Sequence, residues 1–191
     1  MAHRHADGFK LDNPLRRKRL PPMETLSDLG LGPGEIMADI GCGIGYFSFP
    51  AAAIVGPAGK VYALDISEQM LKAVEAEKNR QNIANLEVVR TEEYDLKLAS
   101  ASVTFAFVCN VLHGVQDLER FTAEVRRLLA ADGRISIIEW GEKETGFGPP
   151  LEHRLASARL VSLLERLGFS AISRRDLGED YYAISAQKRE K

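Results

Sequence analysis

The sequence predicts an α/β fold, and three observations support that prediction. From Glu35 onward, short apolar segments alternate with longer segments of helical periodicity, which is the pattern of a mostly parallel sheet with helices on both faces. A glycine-rich turn, residues 41–45, follows the first apolar segment. A short polar stretch joins the last two apolar segments and indicates an antiparallel hairpin. We therefore expect a three-layer sandwich around a seven-stranded sheet, parallel except for its last strand.

Seven segments are short and apolar enough to be strands of a buried sheet. They are residues 36–40, 60–64, 86–90, 103–109, 134–140, 169–173 and 181–186. Between the first two, a helix is expected to start near Tyr46. The last helix, before residues 169–173, has Ser157 as a candidate cap and Gly168 as its stop.

Two further helices are defined by their caps and by apolar periodicity. Ser67 is placed to cap a helix that runs to about Asn82. An amphipathic segment that begins at Leu118 is expected to stop near Asp132 and Gly133, because glycine permits the left-handed conformation common after a helix.

Residues 1–34 do not show the alternation of strands and helices, because four prolines divide them into short segments. We interpret them as a short N-terminal capping segment with one short helix at residues 24–29, and residues 35–187 as the main domain. Residues 1–20 carry six basic and two acidic side chains. The four basic residues at 16–19 are interpreted as a solvated face rather than a nucleic-acid patch.

Length and composition limit the class of protein. The chain has 191 residues, 45% of them hydrophobic and 27% charged, as in one ordinary globular domain. A net charge of −2 gives no reason to expect nucleic acid as a partner. Cys42 and Cys109 are too far apart for a zinc or redox pair, and no metal set surrounds His3 and His5. No membrane span or secretory signal is found, so we expect a cytoplasmic protein.

The glycine-rich turn carries the clearest functional signal. Gly41, Gly43 and Gly45 remove Cβ atoms where a ligand would touch the backbone, and the following helix start offers unsatisfied N–H groups. Asp65 directly follows the second strand, 20 residues after Gly45, where a carboxylate can accept both hydroxyls of a ribose. The dinucleotide pattern GxGxxG fails at Tyr46, which argues against a nicotinamide cofactor. A nucleoside ligand is therefore implied.

Residues 39–45 have the form acidic-x-Gly-x-Gly-x-Gly and resemble the first motif of the class I S-adenosylmethionine-dependent methyltransferases, which have a Rossmann-like fold. The resemblance continues at residues 110–113 and 128–135 and covers roughly residues 9–186. It implies S-adenosyl-L-methionine as cofactor, with the glycine loop at its methionine part and Asp65 at its ribose. The cofactor-binding residues implied are Asp39, Gly41, Cys42, Gly43, Gly45, Asp65, Ile66, Met70, Glu92, Glu93 and Asn110.

Residues 5–20 and 148–154 resemble a narrower group of small bacterial and archaeal methyltransferases, near the ubiquinone/menaquinone C-methylating enzymes. Two positions depart from the family pattern: Thr91-Glu92 replaces Gly-Asp after the third strand, and Thr104 replaces Asp in the fourth. By alignment Glu92 accepts a hydrogen bond from the adenine amino group, but the adjacent Glu93 could substitute.

Five residues are candidates for the acceptor side of the site. His113 is a candidate general base, although a structural hydrogen bond at a helix start is an equal alternative. Tyr46 is a candidate aromatic neighbour of the sulfonium. Glu139 and Trp140 end the fifth strand on the ligand side of the sheet, and Trp140 is a candidate substrate wall or a core residue. His153 and Arg154 could bind a carboxylate or phosphate, or could simply begin a surface helix.

The predicted function is transfer of the methyl group to a small-molecule acceptor by in-line displacement. A protein that binds the cofactor without catalysis is the main alternative. A nicotinamide oxidoreductase and a nucleic-acid-modifying enzyme fit the residues less well. The acceptor, the methylated atom and the oligomeric state are not determined by these residues.

Overall fold

The computed structural model describes residues 12–144 and 148–189. Its seven strands belong to one sheet, which confirms the expected seven-stranded α/β fold. The strands are β1 (Ile36–Ile40), β2 (Lys60–Asp65), β3 (Leu86–Arg90), β4 (Val103–Cys109), β5 (Leu129–Trp140), β6 (Phe169–Leu177) and β7 (Tyr181–Lys188). The predictions that concern His3 and His5 lie outside the described residues.

The helices are α1 (Pro14–Arg19), α2 (Pro22–Asp28), α3 (Ser48–Val55), α4 (Glu68–Gln81), α5 (Leu118–Leu128) and α6 (Ser157–Arg166). The sequence analysis did not predict α1, although two residues mark its start. The Asn13 side chain accepts from the Arg16 backbone N–H at 2.9 Å. Pro14 suits the first helical position because it has no N–H, and an N–H at that position would have no partner within the helix.

The chain divides into two compact units, one ending at Lys97 and one beginning at Leu98. In the first unit β1 and β3 flank β2, and both pairings are parallel. The register pairs Ile40 with Leu64 and Asp65 with Arg90, so the carboxyl ends of these strands lie side by side. α3 and α4 both pack on these strands.

In the second unit the strand order is β4-β5-β7-β6. The β4–β5 pairing is parallel, whereas β7 runs antiparallel to both β5 and β6. This confirms the expected closing hairpin and the antiparallel last strand. Tyr181 and Tyr182, at the start of β7, are among the largest fully buried side chains.

The predicted end of α5 was wrong. We expected the helix to stop near Asp132 and Gly133, but it ends at Leu128, and Leu129 already belongs to β5. The physical reason is that Leu129, fully buried, pairs with Val103 at the start of β4. The left-handed Asp132, at φ 57°, then lies within a register shift of the strand rather than at a helix end.

The predicted caps were confirmed for α4 but not for α6. The Ser67 side chain accepts from the Met70 N–H, and Asn82 ends that helix in the left-handed conformation. Ser157 is the first residue of α6 rather than its cap. Its backbone N–H donates to the Glu142 carboxylate, which takes over the capping role.

No helix within residues 12–144 and 148–189 is long and apolar enough to span a membrane.

The expected boundary between residues 34 and 35 stays a prediction, because α1 and α2 belong to the same compact unit as β1–β3.

Candidate active site

The glycine loop connects β1 to α3, which begins at Ser48 rather than near Tyr46. Gly41, Gly43 and Gly45 have φ values of 75°, 56° and 83°, a region that side chains with a Cβ rarely adopt. The backbone N–H groups of Gly41 and Cys42 donate to the Leu64 carbonyl at 2.8 and 2.9 Å. These bonds fix the loop against the carboxyl end of β2.

Asp65, the last residue of β2, is held in place by two hydrogen bonds. Its Oδ2 accepts from the Gly43 N–H at 2.9 Å, and its Oδ1 accepts from the Ser67 N–H at 2.8 Å. Each carboxylate oxygen has a further lone pair, so the carboxylate is oriented and can still accept from two hydroxyls. The neighbouring Ile66 is 39% exposed, an unusual state for a large apolar side chain, while Met70 is buried.

Asp39, in β1, and Cys42, in the glycine loop, are both buried. The Ser48 hydroxyl donates to the Asp39 carboxylate at 2.5 Å. Burial raises the pKa of Asp39 to about 7, and the charge of Asp65 adds to this rise, whereas the Ser48 hydrogen bond and the charge of Arg16 oppose it. Burial also raises the pKa of the Cys42 thiol, with further contributions from both carboxylates. Cys42 is therefore a neutral thiol, not a nucleophile.

The N-terminal segment covers the residue that follows the glycines. The Tyr46 hydroxyl donates to the Leu20 carbonyl at 2.9 Å, and the Arg16 guanidinium lies 4.4 Å from the Tyr46 ring centroid. Tyr46 itself is only 8% exposed. Its hydroxyl and one ring face are thus occupied by protein groups, and its place beside the sulfonium stays a prediction.

The two candidate adenine contacts differ in exposure. The Glu92 side chain is 75% exposed and forms an ion pair with Lys97 at 3.2 Å, whereas Glu93 is half-buried. The preceding Thr91 is buried, and its N–H donates to the Asp65 carbonyl at 3.0 Å. An exposed ion pair contributes little, so Lys97 does not prevent Glu92 from binding a ligand.

In the second unit, Asn110 follows β4 in the left-handed conformation, at φ 56°. Asparagine tolerates this region better than most residues. Its backbone N–H donates to the Ile138 carbonyl at 2.8 Å. Its side-chain Oδ1 is buried and accepts no hydrogen bond from the described residues, so it is a candidate acceptor for a ligand N–H or O–H.

His113 lies in a 3-10 turn, Leu112–Gly114, after β4. Its Nδ1 is 2.9 Å from Glu139 Oε2, and its backbone N–H donates to Glu139 Oε1 at 3.2 Å. The His113 side chain is 25% exposed, while that of Glu139 is fully buried. His113 is a predicted site residue, whereas Glu139 was predicted only to lie at the ligand end of strand five.

Trp140 ends β5 and is enclosed on two sides. Its ring centroid lies 4.8 Å from that of Tyr181, and a Cβ at Gly148 would lie 2.5 Å from Trp140 Cε3. Gly148 thus packs directly against the indole. Trp140 supports the loop that follows β5, and its predicted role as a substrate wall is a separate proposal.

Arg154 holds the same loop. Its guanidinium donates to the backbone carbonyls of Pro149, Gly141 and Lys143 at 2.9, 2.8 and 2.7 Å. His153 is exposed. A role for these two side chains in binding an anionic acceptor stays a prediction. Within residues 12–144 and 148–189, no group of three His, Cys, Asp or Glu side chains is arranged to hold a metal.

Comparisons with known proteins identify the family of this chain. A family model described as a methyltransferase domain matches residues 38–137, just over half of the chain. A crystal structure of an S-adenosylmethionine-dependent methyltransferase from Aquifex aeolicus is 28% identical, with a TM-score of 0.88 over 93% of this chain and 95% of that one. The fold and the matched family model define a Rossmann-like methyltransferase. This chain belongs to the S-adenosylmethionine-dependent methyltransferase family.

Two curated relatives are similar at lower coverage. A nocamycin O-methyltransferase from Saccharothrix syringae is 29% identical over 88% of this chain and 56% of its own length. A demethylmenaquinone methyltransferase from Lactococcus lactis is 29% identical over 61% of this chain and 46% of its own length. The chain thus spans about half the length of the curated relatives it matches. The expected family and its cofactor are confirmed.

Proposed function

We propose that this chain binds S-adenosylmethionine and transfers its methyl group to a small-molecule acceptor. The observation that carries the proposal is the pair of hydrogen bonds that fix Asp65, from the N–H groups of Gly43 and Ser67. They hold a carboxylate with two spare lone pairs beside a loop of three left-handed glycines. This arrangement fits a ribose diol attached to a ligand that approaches backbone closely.

The described residues fit the remaining parts of the cofactor. The exposed Ile66 offers an apolar surface for adenine, and Glu92 or Glu93 would accept from the adenine amino group. The glycine loop offers its backbone to the methionine part. Asn110 Oδ1, a buried acceptor with no hydrogen bond in the described residues, would bind a cofactor N–H or O–H.

The cofactor, when bound, supplies an activated methyl group whose leaving group is a neutral thioether. The protein then needs mainly to orient the acceptor and to exclude water, and positioning of this kind can contribute about 7 to 11 kcal/mol. His113 would accept the proton of an acceptor that carries one. Its imidazole is partly exposed and is held by Glu139.

The acceptor class is a proposal drawn from the relatives. The two relatives are named for nocamycin and demethylmenaquinone, both small molecules, so we propose a small-molecule acceptor here. The net charge of −2 gives no support to a nucleic-acid acceptor. The cytoplasmic location expected from the sequence stays a prediction.

Calorimetric titration with S-adenosylmethionine, S-adenosylhomocysteine and NADH tests the cofactor. We expect micromolar binding of the first two and none of NADH. Asp65→Ala should weaken S-adenosylhomocysteine binding about 10-fold or more, because a hydrogen bond to a charged group contributes roughly 1.5 to 3 kcal/mol. Asp28→Ala, at an exposed position that ends α2, is the control. Equal affinity of the Asp65→Ala variant would refute the ribose assignment.

Methyl transfer itself is tested with a labelled methyl group and a panel of small-molecule acceptors. For an acceptor that is methylated, His113→Gln should slow transfer about 100-fold or more without changing the affinity for S-adenosylhomocysteine. If the cofactor binds and no acceptor is methylated, the alternative of a catalytically silent binding protein would be favoured. Unchanged turnover in the variant would remove His113 as the base.

A further inference from the structure

Glu139 is an acidic residue whose side chain is buried in the protein. It lies one residue before the end of β5, and its side chain is fully buried. A buried carboxylate is costly unless it is hydrogen-bonded and paired with a positive group. The contacts that offset this cost therefore indicate what the carboxylate does.

Three nitrogen atoms lie within hydrogen-bond distance of the Glu139 carboxylate. The His113 backbone N–H donates to Oε1 at 3.2 Å, and the Trp140 N–H donates to Oε2 at 3.3 Å. His113 Nδ1 lies 2.9 Å from the same Oε2. Both Glu139 oxygens accept from backbone N–H groups, which is the hydrogen-bonding role of a carboxylate. An ionised carboxylate can only accept, so the proton in this pair belongs on His113 Nδ1.

Tyr182, which pairs with Glu139 across the sheet, has another hydrogen-bond partner. Tyr182 lies opposite Glu139 in the β5–β7 register, but its hydroxyl donates to the Leu155 carbonyl at 2.6 Å. Burial raises the pKa of Tyr182, and the charges of Glu139 and Glu142 raise it further. Tyr182 is therefore neutral over the physiological pH range.

The two nearby arginines are also engaged. Arg174, which lies over the Tyr182 ring, pairs with Asp176 at 2.8 Å. The Arg154 guanidinium donates to backbone carbonyls of the loop after β5. Among the described residues, the buried Glu139 carboxylate therefore pairs only with the His113 imidazole.

We propose that Glu139 is a positioning residue that holds His113 in the Nδ1–H tautomer, with Nε2 unprotonated and available as the base. The proposal rests on the proposed methyl transfer. When an acceptor X–H is methylated, its proton would pass to Nε2, and the electron pair of the X–H bond would form the new bond to the methyl carbon. The electron pair of the cleaved S–CH3 bond would stay on sulfur, which leaves as the neutral thioether. The resulting imidazolium would face the Glu139 carboxylate, and the 25% exposure of His113 gives that proton a path to solvent.

The tautomer can be measured without an acceptor. In ¹⁵N-detected spectra of the whole protein at alkaline pH, neutral His113 should show a protonated Nδ1 and an unprotonated Nε2. The chain has four histidines, so His113→Asn assigns the signal. A protonated Nε2 in the wild-type protein would overturn the proposal, whether or not any variant folds.

Variants separate positioning from simple packing. Glu139→Gln should move His113 toward the Nε2–H tautomer, because the side-chain amide can donate to Nδ1. Its kcat should fall by about 10²- to 10⁴-fold with KM little changed, as expected when a base is held in the wrong tautomer. Glu139→Asp keeps the charge and should keep the Nδ1–H tautomer. Glu165→Gln, which changes an exposed acid of α6, is the control and should leave the His113 spectrum unchanged.

The outcomes distinguish the two proposals. If the tautomer is as expected but no acceptor is methylated, the positioning geometry holds and the methyl-transfer proposal fails. If methyl transfer occurs and Glu139→Gln leaves both the tautomer and kcat unchanged, the positioning proposal fails alone. S-adenosylhomocysteine affinity, which Glu139→Gln should not change, checks that the variant retains its fold.

Discussion

Phe49 closes the space beside Gly45: a Cβ added at Gly45 would lie 2.7 Å from Phe49 Cε2. Gly45 also has a φ of 83°. The third glycine of the loop is therefore required twice, once by the backbone conformation and once by the first turn of α3. Gly34 has a similar φ of 78°, but nothing lies within 4 Å of its missing Cβ.

This pair of glycines yields a matched prediction. Gly34→Ala should lower the free energy of unfolding by about 1 to 2 kcal/mol, the cost of a left-handed residue with a Cβ. Gly45→Ala should cost more, because Phe49 must also move, and it should weaken S-adenosylhomocysteine binding. Urea unfolding and calorimetry measure both effects. If the two variants were equally stable, the contact with Phe49 would not limit the residue at position 45.

Asp39 should make stability depend on pH. Its pKa is raised from 3.8 to about 7 by burial, so the folded state binds a proton that the unfolded state has already released. Stability from this group is therefore present at acid pH and is lost as the pH rises from about 4 to about 7.

Asp39→Asn should remove that loss, because asparagine cannot ionise and can still accept from Ser48. The variant should exceed the wild type at pH 8 by at most about 4 kcal/mol in unfolding free energy, and the difference should shrink toward pH 4. Urea unfolding over this pH range measures it. Asp28→Asn, at an exposed position, should show no such trend. A difference that grows toward acid pH would contradict the assigned direction.

Arg154 should be needed to stabilise the loop after β5. Lysine cannot reproduce the planar set of donors that reaches three backbone carbonyls, so Arg154→Lys should cost about 1 to 3 kcal/mol of unfolding free energy. Arg159→Lys, at an exposed position of α6, should have almost no effect. Equal stability of the two variants would favour the other prediction for Arg154, that it binds an anionic acceptor.

The strands could be predicted well because their apolar segments are short and sharply bounded. β1, β3 and β4 have the predicted ends. The end of α5 could not be predicted, because the helical periodicity continues through Leu129, whereas the pairing of Leu129 with Val103 places it in β5. Only the three-dimensional neighbour decides between these two local choices.

The site was predictable where spacing alone determines proximity. The glycine loop follows β1 and Asp65 ends the adjacent β2, and Asp65 does contact the loop, at Gly43. The sequence placed Glu139 at the ligand end of strand five, but its contact with His113 was not predicted, because 26 residues separate the two. The β4–β5 register, which pairs Cys109 with Ile138, brings the two together, and nothing in either local sequence indicates that register.

Trp140 gives the protein a spectroscopic reporter in a useful position. It is the only tryptophan of the chain, and its indole lies between Tyr181 and Gly148. Fluorescence excited at the red edge of the absorption band therefore comes from one residue at the base of one loop. Rearrangement of that loop when a small molecule binds would change the emission directly, with no label and no substituted side chain.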